Sequence, residues 1–448
     1  MAKQLFGTDG IRGVAGEYPL DPQTVYAFGC ALGEDAVAHR ADPEILIGMD
    51  TRESGRWIAE MVAGGLKARG VRVKFAGVIT TPGVAYLTKT GDFVAGVMIS
   101  ASHNPYQDNG LKLFGHSGFK LPDEEEHTIE QEILRLRADS VTPAPAALTE
   151  DETLPHQYLD FLLSTTTVRF EGVKIALDCG NGAAYRLGPE LFRRLGAEVV
   201  TICAEPTGRN INLGCGAMHL EALQEAVVAH GADYGVAFDG DADRAIFVTR
   251  AGKLVDGDAA MLAAARAMKA AGRLRQNMVV STVMSNLGLE KLLERDGIRM
   301  VRTGVGDKYV LEEMLRRGAV LGGEQSGHVI FREYATTGDG MLTALRVFEI
   351  ARRANVGLED LTADLRVYPQ KLVNVRIREK QGLLEEPSVA EAIRTAETTL
   401  AGTGRVLVRF SGTEPLARVM VEAEDAGMVE HFVNRIADAI RTAEAAKV

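Results

Sequence analysis

Three aspartates spaced two apart, Asp239, Asp241 and Asp243, stand in the segment Asp-Gly-Asp-Ala-Asp-Arg244. Apolar runs flank it, Val236-Ala-Phe before and Ala245-Ile-Phe-Val after. In extended chain alternate side chains share a side, so this spacing predicts three carboxylates pointing one way. At about 5 Å and an effective dielectric of about 20, each pair repels by roughly 3 kcal/mol. A hard dication offsets that repulsion, and an all-oxygen ligand set favours Mg²⁺ over zinc. An EF-hand opens with the same D-x-D-x-D, but its sixth and twelfth positions need glycine and glutamate, and this chain has Arg244 and Arg250 there. A solvated acidic turn is the other alternative, and the apolar flanks weigh against it.

A second chemical centre lies upstream. The run Val94 to Ile99 reads as a buried strand that breaks into Ser100-Ala-Ser-His-Asn-Pro105. Proline cannot continue the ladder, so the hydroxyl of Ser102 is placed at a strand end, where it can face a cleft. Most loop serines are merely turn formers. No G-x-S-x-G elbow surrounds Ser102, and in Gly323-Glu-Gln-Ser-Gly327 the serine is one place late for that motif. Lys112 and His328 are surface residues by default, yet they are the groups at hand for moving protons. The stretch from Arg405 through Arg409 to Ser411, Gly412 and Thr413 supplies guanidinium, hydroxyls and glycine amides in one turn. It is either an ordinary turn or a phosphate cradle. A nucleophile, three carboxylates for a metal, proton carriers and an anion cradle together suggest phosphoryl transfer.

The elements that must hold these loops follow an alternating pattern. Strands at Ile45 to Met49 and Val71 to Phe75 enclose a helix, Trp57 to Arg69, that Ser54 could cap. Arg137 to His156, with Pro143, Pro145 and Pro155, lacks periodicity and reads as a linker. The alternation restarts at Val173 and leads to the aspartate loop, then restarts at Ala259 and leads to the loop of Glu324 and His328. After Pro369 the character changes to alternating, half-exposed strands with two helices, a smaller α+β domain.

A chain of 448 residues suggests three or four domains. A formal net charge of −11 argues against non-specific nucleic-acid binding, which needs a basic footprint. The four cysteines form no CxxC pair and no zinc-like spacing, so packed, reduced thiols are expected. No secretory signal and no apolar run of membrane-spanning length is visible, so a cytoplasmic enzyme is the default expectation. Gly180-Asn-Gly-Ala-Ala-Tyr lacks the third glycine of a dinucleotide fingerprint, and no Walker A sequence is present.

The four loops, Ser-Ala-Ser102-His-Asn-Pro, Asp239-Gly-Asp-Ala-Asp-Arg, Gly323-Glu-Gln-Ser-Gly-His and Arg409-Phe-Ser-Gly-Thr-Glu-Pro, resemble those of the α-D-phosphohexomutase superfamily, in its order and across the whole chain. Phe6-Gly-Thr-Asp-Gly-Ile-Arg-Gly13, Gln325 and Ala335-Thr-Thr-Gly-Asp-Gly340 are most similar to its bacterial amino-sugar branch. The resemblance implies three related mixed-sheet α/β domains, at 1–155, 156–256 and 257–368. A smaller α+β domain at 369–448 would complete them around a central cleft. It implies that Ser102 is a phosphoserine and that the three aspartates, with a phosphoryl oxygen on Ser102, hold one Mg²⁺ per chain. Arg12, His103 and Arg244 would surround the phosphoryl group, with Lys112 and His328 as base and acid. Thr303 and Gly304 would line the sugar site, and Glu324 and Ser326 would read sugar hydroxyls. Arg409, Ser411, Gly412, Thr413 and Arg418 would bind the phosphate that does not react.

The implied reaction interconverts glucosamine 6-phosphate and glucosamine 1-phosphate through a glucosamine 1,6-bisphosphate, feeding amino-sugar nucleotide and cell-wall precursor synthesis. A glucose or mannose phosphate mutase is the alternative within the superfamily. A non-catalytic sugar-phosphate sensor would not need Ser102, the aspartates and His328 together, and a phosphatase would not need the last cradle. The implied partner is a small sugar phosphate, with no nucleic acid or membrane, and a homodimer is compatible with the chain.

Overall fold

The computed structural model describes residues 4–139, 141–411 and 415–445. The chain forms two compact units, one of Met1–Met284 with Ile298–Ala363 and one of Ser285–Gly297 with Asp364–Val448.

The larger unit holds three mixed sheets. The first has six strands in the order Phe6–Gly7, Gly10–Val14, Asp108–Gly115, Ala95–Ile99, Glu44–Met49 and Arg72–Val78. The second has five, ordered Leu254–Val255, Ala245–Thr249, Tyr234–Phe238, Lys174–Asp178 and Glu198–Ile202. The third has four, ordered Arg299–Thr303, Met278–Thr282, Leu321–Gly323 and Val329–Phe331.

One device recurs in all three. Ala95–Ile99, Tyr234–Phe238 and Leu321–Gly323 each pair in parallel on one side and antiparallel with the next strand on the other. The serine, aspartate and glutamate loops are the links at which strand direction reverses. A parallel neighbour needs a long crossover, whereas an antiparallel one takes a short connection, so each loop is short and anchored at both ends. The central strands are buried throughout, which is why they read as unbroken apolar runs.

Three details depart from the sequence expectation. Ser54 stands at the start of helix Gly55–Ala68 without capping it; its hydroxyl accepts from Asn109 Nδ2 at 2.8 Å instead. The linker is narrower than 137–156, because helix Thr153–Ser164 takes its C-terminal end and tolerates Pro155 in its first turn, where an amide has no helical partner. Helices Pro22–His39, Thr81–Thr90 and Gly340–Ala354 escape the periodicity argument because most of their residues are buried and no polar face marks the period.

In the smaller unit, strand Leu416–Ala423 lies between Gln370–Arg376 and Gly404–Phe410, antiparallel to both. Val419, Val421, Phe432, Val433 and Ile436 belong to its apolar core, built between the sheet and helices Pro387–Leu400 and Ala426–Ala445. No helix among the described residues is long and apolar enough to cross a membrane.

Candidate active site

Ser102 adopts a left-handed backbone, φ +53°. A non-glycine residue bears a cost of order 1–3 kcal/mol there and persists where surrounding contacts over-determine it. Those contacts are present. Ser102 N donates to Ser100 Oγ at 2.9 Å, and Ser102 O accepts from Arg52 Nη2 and Asn212 Nδ2, both at 2.9 Å. Arg52 also donates to the carbonyls of Asn104 and Pro105. It is fixed in turn by Asp50 at 2.9 Å, with neither side chain exposed. The loop is therefore held by its backbone, leaving the Ser102 hydroxyl to donate to Asp239 Oδ2 at 2.6 Å.

The aspartates converge by a different route from the one the spacing suggests. Their segment is a turn between antiparallel strands, with Ala242 at φ +56°, and not extended chain. One carboxylate oxygen from each of Asp239, Asp241 and Asp243 still lies within 4.8 Å of the others, all buried. Gly240 lets the Ser102 loop come close to this turn: a Cβ there would stand 2.5 Å from Ser102 O. Burial, then the charges of Asp243 and Asp241, hold Asp239 well above the usual carboxylate range. Burial also acts upward on Asp241, but Lys112 and Thr81 hold it down to about 2. The Oδ1 atoms of Asp241 and Asp243 are buried and accept no hydrogen bond among the described residues. Two orphaned carboxylate oxygens beside a third acid that repels them are what an oxygen-liganded dication would satisfy, so these residues fit Mg²⁺.

Lys112 is 1% exposed and reaches Asp241 at 2.7 Å, Asp9 at 3.2 Å and Asp243 at 3.4 Å. Burial opposes its charge, yet these carboxylates hold it well above the ordinary lysine value. Its ammonium is thus held among the carboxylates at the centre of the site.

A cavity of about 410 Å³ opens against this cluster, lined by Asp9, Arg12, His103, Asp243, Arg244, Glu324 and His328 among others. His103 Nδ1 stands 3.0 Å from Arg244 Nη1 and 3.4 Å from Ser102 Oγ. Burial, then the charges of Arg244 and Arg12, push His103 down to about 4. The imidazole is therefore neutral near pH 7. Arg12 pairs with Asp9 and donates to Ala101 O at 3.3 Å. The Nε atoms of Arg12 and Arg244 make no hydrogen bond among the described residues, so guanidinium capacity remains for an anion. His328 is 2% exposed, its Nε2 lies 3.8 Å from Asp307 Oδ2, and neither ring nitrogen makes a hydrogen bond among the described residues.

Other expectations shift. Thr303 and Gly304 lie just outside the cavity lining; Val305, Gly306 and Asp307 take that place, and Gly306 N donates to Glu324 Oε1 at 3.1 Å. Ser326 is exposed, its Oγ 3.4 Å from Glu324 Oε2. The segment Ala335 to Gly340 is a buttress: Asp339 caps helix Gly340–Ala354, and a Cβ at Gly338 would stand 2.4 Å from the His328 ring.

In the smaller unit Arg409 and Arg418 are opposed on paired strands. Arg418 Nη2 lies 3.4 Å from Ser411 Oγ, and Lys380 Nζ donates to Ser411 O at 2.6 Å. Burial, then the charge of Arg418, lowers the Arg409 guanidinium, whose Nε makes no hydrogen bond among the described residues. Gly412 and Thr413 lie outside the described residues. Arg405 is not part of this cluster; it pairs with Glu422 and donates to Ser285 O at 2.7 Å.

Sequence reasoning missed Asp9, Thr81, Lys120 and Asp307. Lys120 bridges Asp9 and Asp307, and Thr81 donates to Asp241. Asp9 stood inside the glycine-rich Phe6 to Gly13 turn, but nothing in that turn announces a buried charge network.

Comparison with known proteins agrees with this architecture. Models of phosphoglucomutase/phosphomannomutase alpha/beta/alpha domains I, II and III match residues 3–139, 156–252 and 256–368, and the C-terminal domain model matches 372–439. A phosphoglucosamine mutase of Solibacter usitatus is 72% identical over 441 residues, 98% of this chain and 99% of that one. A phosphoglucomutase/phosphomannomutase family protein from Burkholderia thailandensis shares the fold at TM-score 0.80 and 23% identity, covering 97% of each chain. Aspergillus fumigatus N-acetylphosphoglucosamine mutase, solved in complex with GlcNAc-6P and magnesium, superposes at TM-score 0.66 with 19% identity over 99% of this chain and 96% of that one. The order of the four domains and the full-length identity place the chain in the α-D-phosphohexomutase superfamily, among the phosphoglucosamine mutases.

Proposed function

We propose that this chain interconverts glucosamine 6-phosphate and glucosamine 1-phosphate, with Ser102 as the residue that carries the travelling phosphoryl group. The observation that supports it most is Ser102 Oγ, 2.6 Å from Asp239 within the buried aspartate trio, beside an arginine-lined cavity of about 410 Å³. When bound by Asp239, Asp241 and Asp243, Mg²⁺ supplies positive charge to the phosphoryl oxygens.

The chain's own residues do the rest. In phospho-Ser102 the Oγ–P bond breaks as O1 of the sugar phosphate bonds to phosphorus, giving the 1,6-bisphosphate. After reorientation, Ser102 Oγ takes the 6-phosphoryl group back, leaving the 1-phosphate. Arg12, Arg244 and Lys112 offset the charge that gathers on the group in flight. His328, which lines the cavity and whose ring nitrogens make no hydrogen bond among the described residues, takes the proton from the attacking sugar hydroxyl and returns it on the reverse step. Glu324 reads sugar hydroxyls, while Arg409, Arg418 and Ser411 bind the phosphate that does not react. The enzyme works on a soluble metabolite in the cytoplasm.

Intact mass before and after phosphatase treatment, with turnover of glucosamine 6-phosphate, tests this. Ser102→Ala should lose the phosphoryl mass and all mutase turnover while remaining folded, since the contacts that hold the loop use the backbone N and O of residue 102, which alanine keeps. Turnover like that of the wild type in this variant removes Ser102 from the mechanism.

A further inference from the structure

Two cysteines that the mechanism does not use meet behind the Ser102 loop. Cys203 and Cys215 have no redox or zinc spacing in sequence, yet their sulfurs and a carboxylate oxygen of Asp178 lie within 4.8 Å of one another. Asp178 is already occupied on both oxygens, Oδ1 by Gly180 N and Oδ2 by Gly216 N, each at 2.8 Å. That leaves the two sulfurs as the reactive pair and favours dithiol chemistry over cation binding.

The two thiols are not equivalent. Cys203 is half-buried and lines an open surface cavity of about 580 Å³ with Asn181, Arg193 and Thr207. Cys215 is 1% exposed and accepts from Asn181 Nδ2 at 3.8 Å. The hydrogen bond from Cys215 draws the Cys203 thiol below its ordinary value, although burial acts the other way. The same bond, with burial, raises Cys215. Cys203 is thus the accessible attacking sulfur and Cys215 the sheltered one that resolves.

The segment between them is a strap on the site. Asn212 N donates to Gly180 O at 2.8 Å, and Asn212 Nδ2 donates to Ser102 O at 2.9 Å and to Asn104 O at 3.1 Å. A covalent link between Cys203 and Cys215 closes the loop that carries Asn212.

We propose that Cys203 and Cys215 are a peroxide-sensitive thiol pair whose disulfide, acting through Asn212, slows turnover at Ser102. The Cys203 thiolate attacks one peroxide oxygen; the O–O bond breaks, hydroxide leaves and is protonated to water, and Cys203 becomes a sulfenic acid. Cys215 sulfur then attacks the sulfenic sulfur, the S–O bond breaks, and the departing hydroxide takes the Cys215 proton as a second water. The sulfurs lose two electrons together and the hydroperoxide gains them. Asn212 is a positioning residue in this scheme, and the thiols touch neither substrate nor metal ligands.

The test treats the full-length protein with hydrogen peroxide, quenches with N-ethylmaleimide and maps the peptides. The expected result is a Cys203–Cys215 cross-link, a mass lower by two hydrogens, and a severalfold fall in kcat that dithiothreitol reverses. Cys203→Ser and Cys215→Ala should keep the turnover of reduced wild type and lose the peroxide effect; Cys203 is half-exposed, so its variant is safe for folding even if the other is not. Four alkylatable thiols after peroxide, a cross-link through Cys179, or a cross-link that leaves kcat unchanged would overturn the proposal. The cross-link is read without substrate, so absence of mutase turnover in the reduced protein would count against the proposed reaction and not against the thiol pair.

Discussion

Asp241 shows how much of one residue can be anticipated from its neighbours in sequence. Its type and spacing announce a metal site, but its ion pair with Lys112 and its hydrogen bond from Thr81 arise from a strand and a helix start far away in the chain. Asp241→Asn removes one charge at nearly constant volume. We expect turnover to fall by about two orders of magnitude, the scale on which one electrostatic contact to a developing charge is felt. Mg²⁺ titration by calorimetry should weaken in parallel, and an unchanged titration would reduce the segment to a turn. Arg52 was illegible for the opposite reason: an arginine in a polar loop reads as solvated, and only the fold shows it buried against Asp50 and clamping the Ser102 loop. Replacing it with methionine strands the Asp50 carboxylate without its partner. The expected loss is about 3–5 kcal/mol in urea unfolding, because a buried charge is left uncompensated. A loss below about 1 kcal/mol, the scale of an exposed pair, would mean that water reaches Asp50.

At the level of elements, strands and their terminal loops were readable because apolar runs stop abruptly at polar residues. Helices that lie buried on most sides were not, and Gly340–Ala354 is the clearest case. Its cap, Asp339, accepts from Leu342 N at 2.9 Å and from Tyr158 Oη at 2.9 Å. Burial pushes the Asp339 carboxyl up to about 6. Between the unfolded value and pH 6 the folded chain holds the extra proton, so stability falls as pH rises through that window, by about 3 kcal/mol in total. Asp339→Asn keeps a capping oxygen and has no charge to bury. Its stability relative to wild type should therefore improve from pH 4.5 to pH 8, as followed by thermal melts at both values. A difference independent of pH would show that Asp339 titrates normally in the folded state.

For the molecule as a whole, choice of substrate is the property least visible in single residues. The motifs that resemble the amino-sugar branch include Ala335 to Gly340, a stretch in which Gly338 lies against the His328 ring and Asp339 caps a helix. We predict a kcat/KM for glucosamine 6-phosphate at least about tenfold above that for glucose 6-phosphate, roughly 1.4 kcal/mol in transition-state binding. Paired assays primed with the matching 1,6-bisphosphate measure it, and a preference for the neutral sugar would keep the mechanism and reject the amino-sugar assignment.

One feature of the smaller unit reaches back to how the chain is made. Its helix Leu287–Arg295 leaves the ribosome between two neighbouring strands of the third sheet, Met278–Thr282 and Arg299–Thr303. Yet the groups that receive it come much later: Asn286 binds the backbone of Tyr368, Leu287 N donates to Glu422, and Lys291 pairs with Glu424. The third sheet can zip past this segment during synthesis, but the helix waits as an undocked loop until nearly the whole chain has emerged. Completion of the smaller unit therefore needs the chain through Glu424.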